Sequence, residues 1–396
     1  MTARTTVVGP GAELAAVAAR SRHPTARARA KPMRAPATVQ YFGILFIVVL
    51  LTLFGLVMVL SASSVSAIHS GRSGWTYFIK QSTWTVLGAI ALVIGMKVRE
   101  RFLRRVVPLI LAGTFVMLIA VLFGGNRING ARAWLNFGSF AVQPAELAKL
   151  ALVIYTADLF ARRADRMHEV RATLWPALVV LGMASILVMA QPDLGTVIVM
   201  TSIVLAVAFV GGSPLVPLAG TTMAAGLIAA FFVLSAQYRR DRWLVFLRLS
   251  QNRNGLGWQV WQSLVGIASG GLTGVGLGAS KAKWGYLPEA HTDFIFAIIA
   301  EELGLIGVIV VVVMFVLLGV LGIQVASRAQ DRFQMLLAGG ITAWLLVQAI
   351  INIGGVTGMM PLTGLTLPFV SFGGSSLLVS MAAAGLLLNV ARASVP

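Results

Sequence analysis

Long apolar stretches alternate with short, arginine-rich polar ones from Tyr41 to the end of the chain. Runs long enough to span a ~30 Å hydrocarbon layer begin near Tyr41, Ser82, Val106, Pro144, Leu174, Leu194, Leu215, Phe294, Gln334 and Leu377. The pattern predicts an all-α polytopic membrane protein of about ten transmembrane helices, with both termini on one side. One long loop, residues 237–292, separates helices 7 and 8. Residues 1–40 break the pattern: rich in Ala, Arg, Pro and Thr and without apolar periodicity, they predict a disordered basic tail ahead of a membrane domain over 41–396. Val65-Ser66-Ala67 mimics a signal-peptidase site, but the run before it is far longer than a signal h-region, so cleavage is not expected.

Composition narrows the chemistry. At 58% hydrophobic, 11% charged and a mean hydropathy of +0.88, the chain lies outside the range of soluble domains. It has no cysteine and four histidines, so disulfides are excluded and zinc chemistry is not expected. The net charge of +18 does not point to nucleic acid, because the basic residues sit in clusters between apolar runs. Of the 31 Lys and Arg, 19 fall in the tail, the alternate short loops and the C-terminal end, which should be the cytoplasmic side. The 237–292 loop is then external. Long loops obey the charge rule weakly, so its seven basic residues suggest an anionic ligand.

Candidate chemistry gathers on that external side. YLPEAHTDFIFAIIAEELG, Tyr286 to Gly304, runs a polar loop with Glu289, His291 and Asp293 into a long apolar run. A carboxylate at the mouth of a membrane helix is costly and marks a functional site or a helix cap. Asp293 reads as a first-turn residue favoured by the helix dipole, with Glu301 and Glu302 deeper and satisfied by neighbouring helices. The loop opens with Arg239, Arg240, Arg242, Arg248 and Arg253 flanking Trp243 and Phe246, a short amphipathic helix suited to the membrane surface. A half-inserted segment follows, with Gln262 and Ser263 as candidate substrate contacts. Next, GLTGVGLGASKAKWG offers glycines for close backbone approach beside Lys281 and Lys283. Without a strand–helix–strand context its GxGxG is no dinucleotide motif.

Two other stretches face the same way. NRINGARAWLNFG carries Arg132. It leads into a helix with Pro144 near its first turn and a Glu146–Lys149 pair at i, i+3, which either neutralises itself or meets a ligand. In AQPDLGT, Asp193 is a cap or a second acid. Between Arg332 and Arg392 there is no charge, yet TGMMPLTGLTLPFVSFGGSS is dense in Gly, Pro, Thr and Ser. Backbone this irregular at membrane depth must be buried or line a cavity, so it is expected to wall the site.

GLVMVLSASS, NGARAWLNFG with QPAELAKL, AQPDLGT, YLPEAHTDFIFAIIAEELG and GLTLPFVSFGGSSLL, in this order from about Gly55 to Ala391, resemble the SEDS family of bacterial shape, elongation, division and sporulation proteins. GLTLP followed by GGSSLL is more similar to the division branch. The sequence departs at LRLSQNRNGLGWQ, where relatives carry a Pro-containing segment and Gly-Tyr-Gln in place of Gly257-Trp258-Gln259. The resemblance implies a peptidoglycan glycosyltransferase in the bacterial plasma membrane, acting at the division septum. It would polymerise lipid II at the outer face with a class B penicillin-binding protein as transpeptidase partner, among other division-complex membrane proteins. It places the family's essential aspartate on Asp293 and its acid–base pair on Glu146 and Lys149. By inverting attack, the acceptor 4-hydroxyl would give up its proton to Asp293. Arg132, the loop arginines, Lys281, Lys283 or a divalent cation, Mg or Mn, would neutralise the departing diphosphate. Two rival classes remain: a flippase for the lipid-linked precursor, and a scaffold of the division machinery.

Overall fold

The computed structural model describes residues 39–128, 131–138, 140–235 and 257–393, with isolated positions between 237 and 255. The basic tail expected over 1–40 lies almost wholly outside them. All ten expected helices are present: α1 (Val39–His69), α2 (Thr76–Lys97), α3 (Glu100–Gly124), α4 (Pro144–Arg162), α5 (Leu174–Met189), α6 (Leu194–Val210), α7 (Leu215–Ser235), α9 (Ile295–Ser327), α10 (Arg332–Val356) and α11 (Gly374–Ala393). An eleventh, the 13-residue α8 (Trp258–Gly270), lies within the long loop. Seven of these helices are long and apolar enough to cross a membrane, and α5 and α6 are shorter but apolar.

The boundaries follow local chemistry. Pro144 starts α4, where its missing N–H costs nothing. Asp193 caps α6 by accepting from Thr196 N, and Asp331 caps α10 by accepting from Gln334 N. The loop between α3 and α4 forms a small antiparallel sheet: β1 (Asn126–Ile128), β2 (Ala131–Phe137) and β3 (Phe140–Val142), in that order. Phe140 packs edge-on against Trp84 of α2, with ring centroids 5.3 Å apart.

α10 and α11 form the buried centre, whereas α3 and α7 turn apolar residues such as Leu109, Phe123, Val216 and Phe231 outwards, as lipid-facing helices do. In lipid, helices associate by close backbone approach at small residues. α2 and α11 do this: a methyl on Gly95 would press on the Ala382 carbonyl, and one on Gly385 would strike Leu92 backbone.

α9 is broken at Gly304 (φ 65°, ψ −161°), a conformation open to glycine. The freed groups are taken up by the chain after α8. Val275 N and Gly276 N donate to the carbonyls of Glu301 and Glu302 (both 3.0 Å), while Leu305 N and Ile306 N donate to those of Gly271 and Leu272 (3.0 and 3.3 Å). Gly270 and Gly274 permit this close approach to the α9 backbone.

Candidate active site

Asp293 stands just before α9. Thr292 N and Phe294 N both donate to the Glu289 carbonyl (3.1 and 3.3 Å), and this turn makes Phe294 the N-cap, with no side-chain cap bond. The expectation of a first-turn or capping aspartate is corrected: the turn on Glu289, whose φ is +55°, consumes the residues that would have started the helix one step earlier. Asp293 is half-buried. Its carboxylate faces the irregular stretch between α10 and α11, where a Cβ placed on Gly364 (φ +77°) would lie 3.5 Å from Asp293 Oδ2. The stretch expected to wall the site thus lies beside Asp293.

That wall, residues 357–373, is gripped from every side. Asn352 Nδ2 donates to the carbonyls of Leu365 (2.6 Å) and Asp293 (2.9 Å), and Gln348 Nε2 donates to Thr366 O (3.0 Å). The Thr366 hydroxyl meets Ser376 Oγ at 2.9 Å, Gln81 Nε2 donates to Ser371 O at 3.1 Å, and Phe372 N donates to His291 O at 2.9 Å. A methyl on Gly195, in the first turn of α6, would press on Thr363 and Leu365. Asp193, Asp293 and the wall are thereby tied into one neighbourhood.

The Glu146–Lys149 pair lies behind this wall. Lys149 is fully buried, with Nζ 2.8 Å from Glu146, 2.8 Å from Gln348 Oε1 and 5.4 Å from the Trp344 ring centroid. Asp193 accepts from Thr196 N (2.9 Å) and Thr196 Oγ1 (2.7 Å) and from Gln143 Nε2 (3.3 Å), so the cap reading of that residue holds. His291 packs between Tyr77 and Phe372, at 4.5 and 5.4 Å between ring centroids. Burial pushes its imidazole pKa down, opposed by the charge of Glu289.

Other candidates sort differently. Lys283 is buried, and its ammonium reaches Glu302 (3.0 Å), the Gly278 carbonyl (2.7 Å) and Ser61 Oγ (3.3 Å). A lysine expected at the diphosphate is thus held in a buried ion pair, because the loop folds inward onto the α9 break. Lys281 is exposed, its backbone N–H donating to Glu301 (2.8 Å). Glu301 also accepts from Ser280 Oγ and Ala282 N, and Glu302 from Ser61 Oγ. These glutamates, expected against neighbouring helices, are satisfied mainly by the loop, with α1 supplying Ser61. Ser263 Oγ donates to Val356 O (2.7 Å), fixing α8 to α10, while Gln262 is half-buried on α8. Arg132 is exposed on β2 and donates to Leu122 O at 3.3 Å. Glu289 is exposed and accepts from Thr292 Oγ1. Arg239, Arg242, Arg248 and Arg253 lie outside the described residues.

The profile of the FtsW/RodA/SpoVE cell cycle proteins matches residues 42–395, a span that takes in the motifs, the broken helix and the wall. The chain belongs to the FtsW/RodA/SpoVE family of cell cycle proteins. It is 43% identical over 351 residues to the probable peptidoglycan glycosyltransferase FtsW of Mycobacterium tuberculosis, covering 88% of this chain and 67% of that one. Against the corresponding protein of Trichlorobacter lovleyi the identity is 38% over 349 residues, covering 88% and 92%. Stage V sporulation protein E of Bacillus subtilis is 38% identical over 355 residues, covering 89% and 96%. Among solved structures, a chain from a peptidoglycan synthase complex that coordinates polymerization and crosslinking superposes with a TM-score of 0.74 at 31% identity, covering 89% and 98%. RodA of Thermus thermophilus gives 0.67 at 29%, covering 89% and 96%. This family member is accordingly a multi-pass membrane protein.

Residues that sequence reading passed over are Gln348, Asn352 and Ser61. Polar side chains one helical turn apart in an apolar helix with no charge after Arg332 were the signal for the first two.

Proposed function

We propose that this chain is a peptidoglycan glycosyltransferase that polymerises lipid II during division, with Asp293 as its general base. The observation that carries the reading is the placement of Asp293: half-exposed, its backbone gripped by Asn352, its carboxylate against Gly364 of the wall. In the reaction, the 4-hydroxyl oxygen of the acceptor sugar bonds to the donor's anomeric carbon. The bond from that carbon to the diphosphate oxygen breaks, undecaprenyl diphosphate leaves with the electron pair, and the hydroxyl proton passes to Asp293. The free pKa of an aspartate, near ~3.9, makes a weak base. Positioning must supply what basicity does not.

Lys281 and Arg240 are exposed loop cations among the described residues and candidates for the diphosphate, with Arg132 the next. Among the described residues no three of His, Asp and Glu form a group that could hold a metal. A divalent cation, Mg or Mn, would enter with the diphosphate and help neutralise its charge. The charge asymmetry supports cytoplasmic termini and an external α8–α9 region. A class B penicillin-binding protein would supply crosslinking at the septum.

The break in α9 at Gly304 also suits a flippase, since transporters use discontinuous helices. Purified full-length protein in vesicles, given fluorescent lipid II with and without the transpeptidase, separates the two. Glycan polymer is the expected product; lipid translocation without polymer would overturn the enzyme reading.

A further inference from the structure

α10 carries Trp344, Gln348 and Asn352 at four-residue spacing, so all three project from one face, and all are buried. Gln348 Oε1 accepts from Lys149 Nζ (2.8 Å) and from Trp344 Nε1 (2.9 Å), which turns its N–H side toward Thr366 O. One turn on, Asn352 Nδ2 spans Leu365 O and Asp293 O. Two side-chain amides thus hold consecutive carbonyls of the wall, and the residue before them, Gly364, is the one beside the Asp293 carboxylate. The amide orientations are fixed by the partners, because a backbone carbonyl only accepts.

We propose that Gln348 and Asn352 are positioning residues for the Asp293 reaction, and that the Glu146–Lys149 pair acts on catalysis through Gln348 without touching substrate. This rests on the reading of Asp293 as the base. The wall has no regular secondary structure to set its carbonyls, yet a base must be aligned closely with the hydroxyl it deprotonates. Asn352 achieves this by holding the carbonyl of Asp293, so its grip uses none of the carboxylate's lone pairs. Lys149 has no exposed surface, and its ammonium is directed to Glu146 and Gln348. Its influence has to pass through the groups it holds. Asn352 Oδ1 is buried with no hydrogen-bond partner among the described residues.

The test uses the full-length protein with its transpeptidase and fluorescent lipid II, comparing kcat, KM and unfolding temperature. Asn352→Leu keeps the volume, removes the double donor and also removes the unpaired oxygen. It is expected to fold, to leave KM within about twofold and to lower kcat roughly 10- to 100-fold, the size of a misplacement near 1 Å. Gln348→Met tests the second grip independently and should show the same split. The neutral pair Glu146→Gln/Lys149→Met should lower kcat in the wild-type background and add nothing to Gln348→Met, as groups acting through one link do.

Normal kcat per folded molecule in both Asn352→Leu and Gln348→Met, or a loss confined to KM, overturns the positioning role. Multiplying losses overturn the route through Gln348. Polymerisation by Asp293→Asn would instead remove the base reading underneath. A dead Asp293→Asn beside a normal Asn352→Leu removes the positioning role alone.

Discussion

The carboxylates at the start of α9 are held in two opposite ways. Glu301 and Glu302 are buried and surrounded by donors: Ser280, Lys281 and Ala282 on the first, Ser61 and Lys283 on the second. Asp293, earlier in the chain, is half-exposed, and Asn352 grips its backbone carbonyl. Their lysines divide in the same way, Lys283 buried in an ion pair and Lys281 exposed. The difference separates two tasks that look alike in sequence. A fully buried carboxylate held by protein donors fixes the fold, whereas a half-exposed one beside the wall is within reach of a bound molecule.

The largest effect should come from Asp293→Asn, which keeps the size of the side chain and removes the base. Asp293 precedes the N-cap position of α9, and Asn keeps its size and a capping oxygen, so the substitution should spare folding and binding of the transpeptidase while polymerisation falls roughly 10² to 10⁴-fold. Near-normal polymer from the purified variant would dissolve the contrast and return attention to Asp193 and Glu289.

On the buried side the loss should appear as stability. Glu302→Leu strands the Lys283 ammonium without its carboxylate, and breaking a buried pair from one end costs roughly 3–5 kcal/mol. Glu302→Leu combined with Lys283→Met should recover most of that loss, since a neutral pair of similar volume leaves no buried charge. Unfolding temperatures in detergent measure both. If the double variant is no more stable than the single one, the Ser61 and Ser280 bonds to Glu302 carry the stability instead.

Lys281→Gln sharpens the comparison more gently. Its KM for lipid II should rise about two- to fivefold, the scale of one exposed charge interaction, and the difference should shrink as salt is added. Lys281→Arg should behave as wild type. A KM indifferent to Lys281→Gln moves the diphosphate contact toward Arg132.

How much of this was legible in the sequence depended on which physical force set each feature. Hydropathy alone located ten helices, because lipid demands long apolar runs and closed backbone hydrogen bonding. The wall was legible too, since Gly, Pro and Ser density at membrane depth has few structural meanings. The partner of each charge was not. Nothing in GASKAKWG distinguishes Lys281 from Lys283; the break at Gly304 turns one lysine inward and leaves the other outside. The turn on Glu289 likewise delays α9 by its own backbone bonds, which no capping preference foretells. Gln348 and Asn352 were visible as polar residues in an apolar helix, but the carbonyls they hold belong to a loop without periodicity.

The smallest expected effect concerns His291, on the exposed side of the contrast yet packed between Tyr77 and Phe372. Burial lowers its pKa in the folded chain, so the neutral ring is the folded form, and the nearby Glu289 charge offsets only part of the shift. The sign of the pH dependence follows. Above the unfolded value of ~6.5 both states hold a neutral imidazole and His291 exacts no penalty. As the pH falls through that value the unfolded chain takes up a proton that the folded chain refuses, and stability drops until the folded ring is protonated as well. His291→Phe keeps the ring contacts and removes the titration. Unfolding temperatures recorded from about pH 8 down to about pH 5 should therefore fall more steeply for wild type than for His291→Phe, with the two curves parallel at the alkaline end. Parallel curves over the whole range would mean that the Glu289 charge balances the burial, and that His291 contributes to the site only as a flat ring between two others.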